Sequence, residues 1–482
     1  MAYKHGIYGS EVATSLVPMT NVSAGLPIVF GTAPVHLALA PAKVNTPVLC
    51  YSYKEAVAAF GYSDDWAKYT LCEFMKSHFA LFNMAPVVFV NVLDSSTHKA
   101  AVTNESVPLT KGVGIVTKPV LLDTLKVKLT EAGQPLVKGT DYTAAYGDDE
   151  ELLITVLAGG VITADKQSVV IEYDKVDASL VDKDDIIGGI DVNSGNLEGL
   201  ELVNQVFPMF GLVPGIIVAP GWSHISDVAA VMKAKTTNIN GHFEAICICD
   251  ADTSTVKKYA DVSAWKNTNN FTGERQILCW PKITLGDKTY HMSTQLTGTI
   301  CKSDSEHDDV PYWYPSNQSL QADGAVVDDG NKIYLDTASA AYLNGQGILT
   351  ALNFLGGWKA WGNRTCCYPA NTDVKDSFIA IRRMFNWVNN TLITSFWSKI
   401  DNPANKRLIE TIMDSANIWL NGLVSRGFIL GGRVEFRKDE NPTTDLMDGI
   451  IRFHVFITPP SPARDIEFIQ EYDPDYISTL FE

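Results

Sequence analysis

Ser223 and His224 sit side by side just after an apolar run that ends in Pro220-Gly221, and Asp250 and Asp252 follow the next apolar run. In a parallel α/β sheet the carboxyl ends of strands are where nucleophiles, bases and carboxylates gather, so these four side chains spell out hydrolytic chemistry. The pattern stops there. Adjacent Ser and His side chains make a poor nucleophile–base pair, and no Gly-x-Ser-x-Gly elbow surrounds Ser223. Its plainer role is to cap a following helix.

Other chemistry is weaker still. There is no GxxxxGK[ST] loop and no GxGxxG after a strand, so nothing cradles a phosphate. The acidic runs Ser303–Asp309 and Asp182–Asp185 lack the ligand spacing of a calcium loop and read as solvated loops. Cys50, Cys72, Cys247, Cys249, Cys279, Cys301, Cys366 and Cys367 contain no Cys-x-x-Cys pair, which fits reduced, buried thiols and no metal site. No cofactor is expected. Arg364, a lone charge among aromatic and small residues, reads either as a stacking anchor at an interface or as half of an internal ion pair.

The 482 residues carry a formal charge of −17, which disfavours nucleic acid as a partner. The charge is uneven: residues 94–190 hold 16 acidic against 9 basic side chains, and residues 364–407 hold 7 basic against 3 acidic. No apolar run is long enough to span a membrane, and the opening Met-Ala-Tyr-Lys-His-Gly has no apolar signal core, so direct membrane insertion and secretion are not expected.

The elements that must position these residues fall into five segments. Residues 1–20 look extended and too polar for a core of their own. Residues 21–93 and 191–345 alternate strands and helices, which argues for a discontinuous α/β core with a parallel sheet. Ser52 and Glu55 form a capping-box pattern inside it. Residues 94–190 switch to short alternating strands at Val120–Leu129, Tyr142–Tyr146, Leu152–Val156 and Ser168–Tyr173, an inserted all-β domain of sandwich or barrel type. Residues 346–458 are α+β, with helices over Asp376–Phe396 and Lys406–Leu423 followed by strands. The first helix places Phe378, Ile381, Phe385 and Val388 on one face and Arg382 and Arg383 toward its edge. Pro459-Pro460-Ser461-Pro462 then makes a stiff joint, and residues 459–482 form a terminal arm whose Arg464–Tyr472 stretch alternates like a strand. A strand beyond a proline joint needs an edge to pair with.

A series of short motifs runs through the chain in order. It comprises His5-Gly-Ile-Tyr-Gly-Ser-Glu-Val12, Val29-Phe-Gly-Thr-Ala-Pro34, Asn45-Thr-Pro-Val48, Pro214-Gly-Ile-Ile-Val-Ala-Pro-Gly221, Cys279-Trp-Pro281 and Pro315-Ser-Asn317. Leu343-Asn-Gly-Gln-Gly-Ile348, Trp361-Gly-Asn-Arg-Thr365, Arg382-Arg-Met384, Asn417-Ile-Trp-Leu-Asn421, Gly427 through Gly432, Asn441-Pro442 and Pro459-Pro460 complete it. Each is weak alone; their order over nearly the whole chain except 94–190 resembles the tail sheath proteins of contractile phages, R-type bacteriocins and related injection systems.

The resemblance implies a structural, non-enzymatic subunit that stacks as six-membered rings around an inner tube and shortens to drive that tube through a cell envelope. It implies self-association, contacts with the tube, baseplate and tail terminator proteins, and a place in a virion tail or extracellular particle assembled in the bacterial cytoplasm and released by lysis. It also implies that both arms donate strands to neighbours. That places Gly6, Ile7, Tyr8 and Val12 at one end and Ile466, Phe468, Ile469 and Tyr472 at the other in inter-subunit sheets, and completes the C-terminal α+β domain. Arg382, Arg383, Lys399, Lys406 and Arg407 become candidates to face the tube, and 94–190 an outward decoration. The competing readings are an α/β hydrolase carrying a β module, and a receptor-binding component with 94–190 as its contact part.

Overall fold

A computed structural model describes residues 17–20, 22–147, 149–163, 165–192 and 194–481. Its centre is an eight-stranded sheet. Across the sheet the strands run Trp358–Trp361, Ile348–Asn353, Gln276–Cys279, Ile246–Asp250, Ile216–Val218, Pro27–Gly31, Val87–Asn91 and Val48–Cys50. The six inner strands are parallel, and only the two edge strands pair antiparallel. Pro27–Gly31, Val87–Asn91, Ile216–Val218, Ile246–Asp250 and Gln276–Cys279 are buried at every residue. That is why they read as unbroken apolar runs: a parallel sheet is covered by helices on both faces.

Ser52 caps the Tyr53–Phe60 helix as its sequence predicts, accepting from the Glu55 N–H at 3.3 Å. The Glu55 carboxylate reaches one residue further back, accepting from the Tyr51 N–H at 2.7 Å. The Met292–Ser305 helix is the spine of the core, buried at every position except Lys302 and Ser305. Its sequence is rich in hydroxyls, so periodicity alone conceals it. Thr297 and Thr299 offset part of the cost of burial by donating back to the carbonyls of Ser293 and Gln295, at 2.7 and 3.0 Å.

The insertion is one antiparallel sheet of six strands in the order Lys126–Lys128, Ser168–Val176, Lys99–Thr110, Val113–Val116, Leu152–Val156 and Tyr142–Tyr146. Isolated bridges at Lys128–Pro135 and Lys138–Tyr142 draw its two edges together without a closing ladder, so it is a half-barrel rather than a sandwich. It has a separate apolar core that includes Val107, Val127, Leu152, Ile154 and Ile171. The longest strand, Lys99–Thr110, escapes the sequence pattern because a bulge between Val102 and Glu105, with Asn104 at φ 54°, breaks its alternation. Val176, Val181 and Ile186 pack into the main core, so the chain rejoins it before residue 190.

The last unit packs the Ile379–Phe396 and Lys406–Ser425 helices under a hairpin of Gly431–Glu435 and His454–Thr458. Trp387 and Trp419 meet at 5.4 Å between the helices. The Asn441 carboxamide ties off the long hairpin loop, donating to the Arg437 and Arg452 carbonyls and accepting from the Arg452 N–H. No helix among the described residues is long and apolar enough to cross a membrane.

Candidate assembly surfaces

The switch point of the sheet, between the Pro27–Gly31 and Ile216–Val218 strands, is where an α/β enzyme opens its cleft. Here it is filled with protein. A Cβ on Gly31 would lie 2.2 Å from the Thr70 hydroxyl, which itself accepts from the Thr32 N–H at 3.3 Å. Ser223 is 0% exposed. It caps no helix: the Ser226–Ala234 helix has Ile225 at its N-cap, and the Ser223 hydroxyl accepts from the Asp250 N–H at 3.0 Å. Asp250 faces the start of the spine helix, where its carboxylate takes the Ser293 N–H at 2.8 Å and the Ser293 hydroxyl at 2.5 Å.

Glu73 does the same for His291, accepting its N–H and meeting its Nδ1, both at 2.7 Å. Two buried carboxylates thus satisfy orphan amides at the positive end of a buried helix. Burial opposes the His291 imidazolium, but Glu73 outweighs it and raises the His291 pKa above its ordinary value. Burial lowers that of His224. The Asp252 carboxylate accepts instead from Ser254 and Thr255. Of the four residues that suggested hydrolysis, Ser223 and Asp250 are therefore buried in a structural lock, and His224 and Asp252 lie outside it. No group of His, Cys, Asp and Glu able to hold a metal occurs among the described residues.

The basic cluster of the last unit divides in two. Arg382 and Arg383 are buried, against the expectation that they lie at a helix edge and face a partner. Arg382 lies 3.2 Å from Asp376 and 3.7 Å from Glu244, and Glu244 also holds Arg275 at 2.9 Å. Arg383 forks onto Asp304 of the spine helix, its Nη1 3.0 Å from Oδ1, with both side chains 3% exposed. Both positions fall on the face that meets the α/β core, which the helical period of the larger apolar residues does not reveal. Lys406 and Arg407 are exposed at the start of their helix, and Lys399 is half-buried.

Gly6, Ile7, Tyr8 and Val12 lie outside the described residues. The root of that arm is fixed by contacts that sequence reasoning missed. The Val17 N–H donates to the Ser415 hydroxyl and the Thr20 N–H to the Ser395 hydroxyl, both at 2.9 Å. Trp387 Nε1 donates to the Val22 carbonyl at 2.7 Å, and Arg383 Nη2 to that of Ala24 at 3.3 Å. Gly215 permits this approach, since a Cβ there would lie 2.1 Å from the Ala24 carbonyl oxygen.

At the other end, residues 461–473 form no helix or strand. Ile466, Phe468, Ile469 and Tyr472 are 69–87% exposed there. The nearby hairpin offers an edge. Asn417, another residue the sequence did not single out by role, closes one side: its carboxamide accepts from the Val434 N–H at 2.8 Å and donates to the Val434 carbonyl at 3.0 Å. Val434 pairs with Val455. Because an antiparallel ladder alternates, the backbone groups of Val455 and Ile457 then point away from the hairpin, along an edge that no strand covers among the described residues. Arg364 fulfils neither half of its prediction alone. It has no carboxylate partner among the described residues and is stacked between Tyr368 and Phe378, 4.3 and 3.7 Å from their ring centres.

No family model matches the chain. The tail sheath protein of Burkholderia phage BcepMu is 27% identical over 492 aligned positions, which cover 99% of this chain and 98% of that protein. The tail sheath protein of Escherichia phage P2 is 23% identical over 375 positions, covering 75% of this chain and 87% of that one. The cryo-EM structure of the anti-feeding prophage helical sheath in its contracted state superposes with a TM-score of 0.58 at 12% identity, over 98% of this chain and 100% of that chain. The structural likeness speaks for the fold, and the end-to-end similarity to phage sheath sequences speaks for the role. From end to end the chain is similar to the contractile tail sheath proteins, the structural, non-enzymatic subunits of contractile tails and injection systems.

Proposed function

We propose that the chain polymerises with copies of itself as stacked six-membered rings around an inner tube, and that shortening of this helix drives the tube through a target envelope. The observation that carries the reading is a mismatch within one molecule. A segment with exposed apolar side chains and no helix or strand of its own, Arg464–Tyr472, coexists with a strand edge at His454–Thr458 that no strand covers among the described residues. Each is an aggregation hazard alone, and each satisfies the other between copies. Strand exchange of this kind keeps backbone connectivity while rigid bodies rotate. The arm at 1–20 supplies a second such strand.

Of the five basic candidates, Lys399, Lys406 and Arg407 remain available to a tube, and the half-barrel faces outward. Baseplate and terminator proteins contact the two ends of the stack, in a virion tail or extracellular particle. The test is amide hydrogen exchange. Residues 464–472 should exchange at the rate of an unstructured chain in the monomer and be strongly protected in assembled tubes. Fast exchange in both states overturns strand donation.

A further inference from the structure

A groove of about 660 Å³ opens beside the root of the C-terminal arm, between residues 312–318, the Trp361–Arg364 stretch and the Pro460–Arg464 joint. The Tyr314 hydroxyl holds the joint in place, donating to the Pro460 carbonyl at 2.9 Å. Two arginines line it, Arg364 and Arg464, and neither has a carboxylate within ion-pair distance among the described residues. The Arg364 guanidinium is nonetheless built in, clamped by its two rings and donating to the Ser377 hydroxyl at 2.7 Å. Burial lowers its pKa, and the charge of Arg464 adds to the effect. Beside it the Asn363 Oδ1 is buried without a donor. Trp313, 42% exposed and stacked on His307 at 4.4 Å, supplies an apolar wall. Two uncompensated cations in a chain of net charge −17 mark a site for an acidic partner.

The chain carries a segment of matching chemistry. From residue 465 to 482 it has six acidic side chains and no basic one. The last turn, Pro474–Phe481, leaves Tyr476 and Leu480 72% and 80% exposed. A chain's own tail starts at this groove and leaves it. Residues 465–472 contain no Gly or Pro to turn the chain, and once paired as a donated strand they would carry the tail roughly 26 Å away at about 3.3 Å per residue.

We propose that this groove receives the acidic tail, residues 473–481, of a second copy, with its aspartates on Arg364 and Arg464 and its apolar side chains against Trp313. The proposal rests on the self-assembly argued above and names a second contact for the same arm, beyond the donated strand. The groove reads charge where the strand reads backbone.

The test uses a fluorescein-labelled peptide of residues 472–482 and the full chain kept dilute enough to remain monomeric, with fluorescence anisotropy as readout. Saturable binding is expected, weakened at least tenfold by Arg364→Gln in the protein and by Asp473→Asn with Asp475→Asn in the peptide, and weakened by added salt. No saturable binding, or equal affinity for both peptides, overturns the proposal. The peptide substitutions decide it even where Arg364→Gln disturbs folding. Tubes that form normally from a full chain carrying the two asparagines overturn the tail contact and leave self-assembly standing. Wild-type chains that bind the peptide but never form tubes overturn self-assembly in rings and support the tail contact.

Discussion

Replacing Asp304 by Leu removes the only carboxylate that Arg383 touches among the described residues, in a place where both side chains are 3% exposed. The guanidinium would be left buried with the Ala24 carbonyl at 3.3 Å as its remaining partner. Breaking a buried pair from one side costs about 3–5 kcal/mol, most of it the desolvation of the stranded charge. Arg383→Met strands the Asp304 carboxylate and should cost a similar amount. The double change strands no charge and leaves only the Ala24 carbonyl without its donor, a loss of about 1–2 kcal/mol. The double variant should therefore be more stable than either single one. Urea unfolding followed by far-UV circular dichroism gives the three free-energy differences. A double variant that loses the sum of the two single losses would refute the reasoning, because the residues would then act independently.

Three further outcomes follow from the same structure. Ser223→Ala should cost about 1–3 kcal/mol, because the Asp250 N–H loses a buried acceptor, and should leave the yield of assembled tubes unchanged; denaturation and electron microscopy read the two effects. His78 is buried, and burial lowers its pKa to about 3, so between that value and about 6.5 the unfolded chain binds a proton that the folded one refuses. Stability therefore falls as pH drops through this window, and His78→Phe should remove about 2 kcal/mol of the loss between pH 7.5 and pH 5, measured by urea titrations at each pH. Lys406→Glu combined with Arg407→Glu should change folding stability by no more than about 0.5 kcal/mol, since both side chains are solvated, yet lower co-sedimentation with inner tubes.

The sequence displays its α/β core plainly because strands buried on both faces must be apolar throughout: Pro86 through Leu93 and Phe243 through Cys249 read directly as sheet. The two C-terminal helices are visible for a related reason, a stripe of large apolar residues at helical spacing. What stayed hidden was decided by tertiary partners. The spine helix is coated in threonines and serines, of which Thr297 and Thr299 donate to its own carbonyls and Ser293 to Asp250. Arg382 and Arg383 look like surface charges until Asp376, Glu244 and Asp304 arrive from elsewhere in the chain. Ser223 looks like a cap or a nucleophile until Asp250 claims it. Of the proposed assembly surfaces, the arm beyond Pro462 shows in the sequence as an alternating stretch, to which the structure gives no strand of its own. The edge it would meet does not show there, because it depends on Asn417 closing the opposite side of the hairpin.

Removal of residues 463–482 tests the dependence of assembly on borrowed strands most directly. Electron microscopy and sedimentation of the shortened chain should find folded monomers, with helical content and the unfolding of the remaining body intact, and no tubes. Stacked-ring tubes in normal yield from that shortened chain would contradict the account.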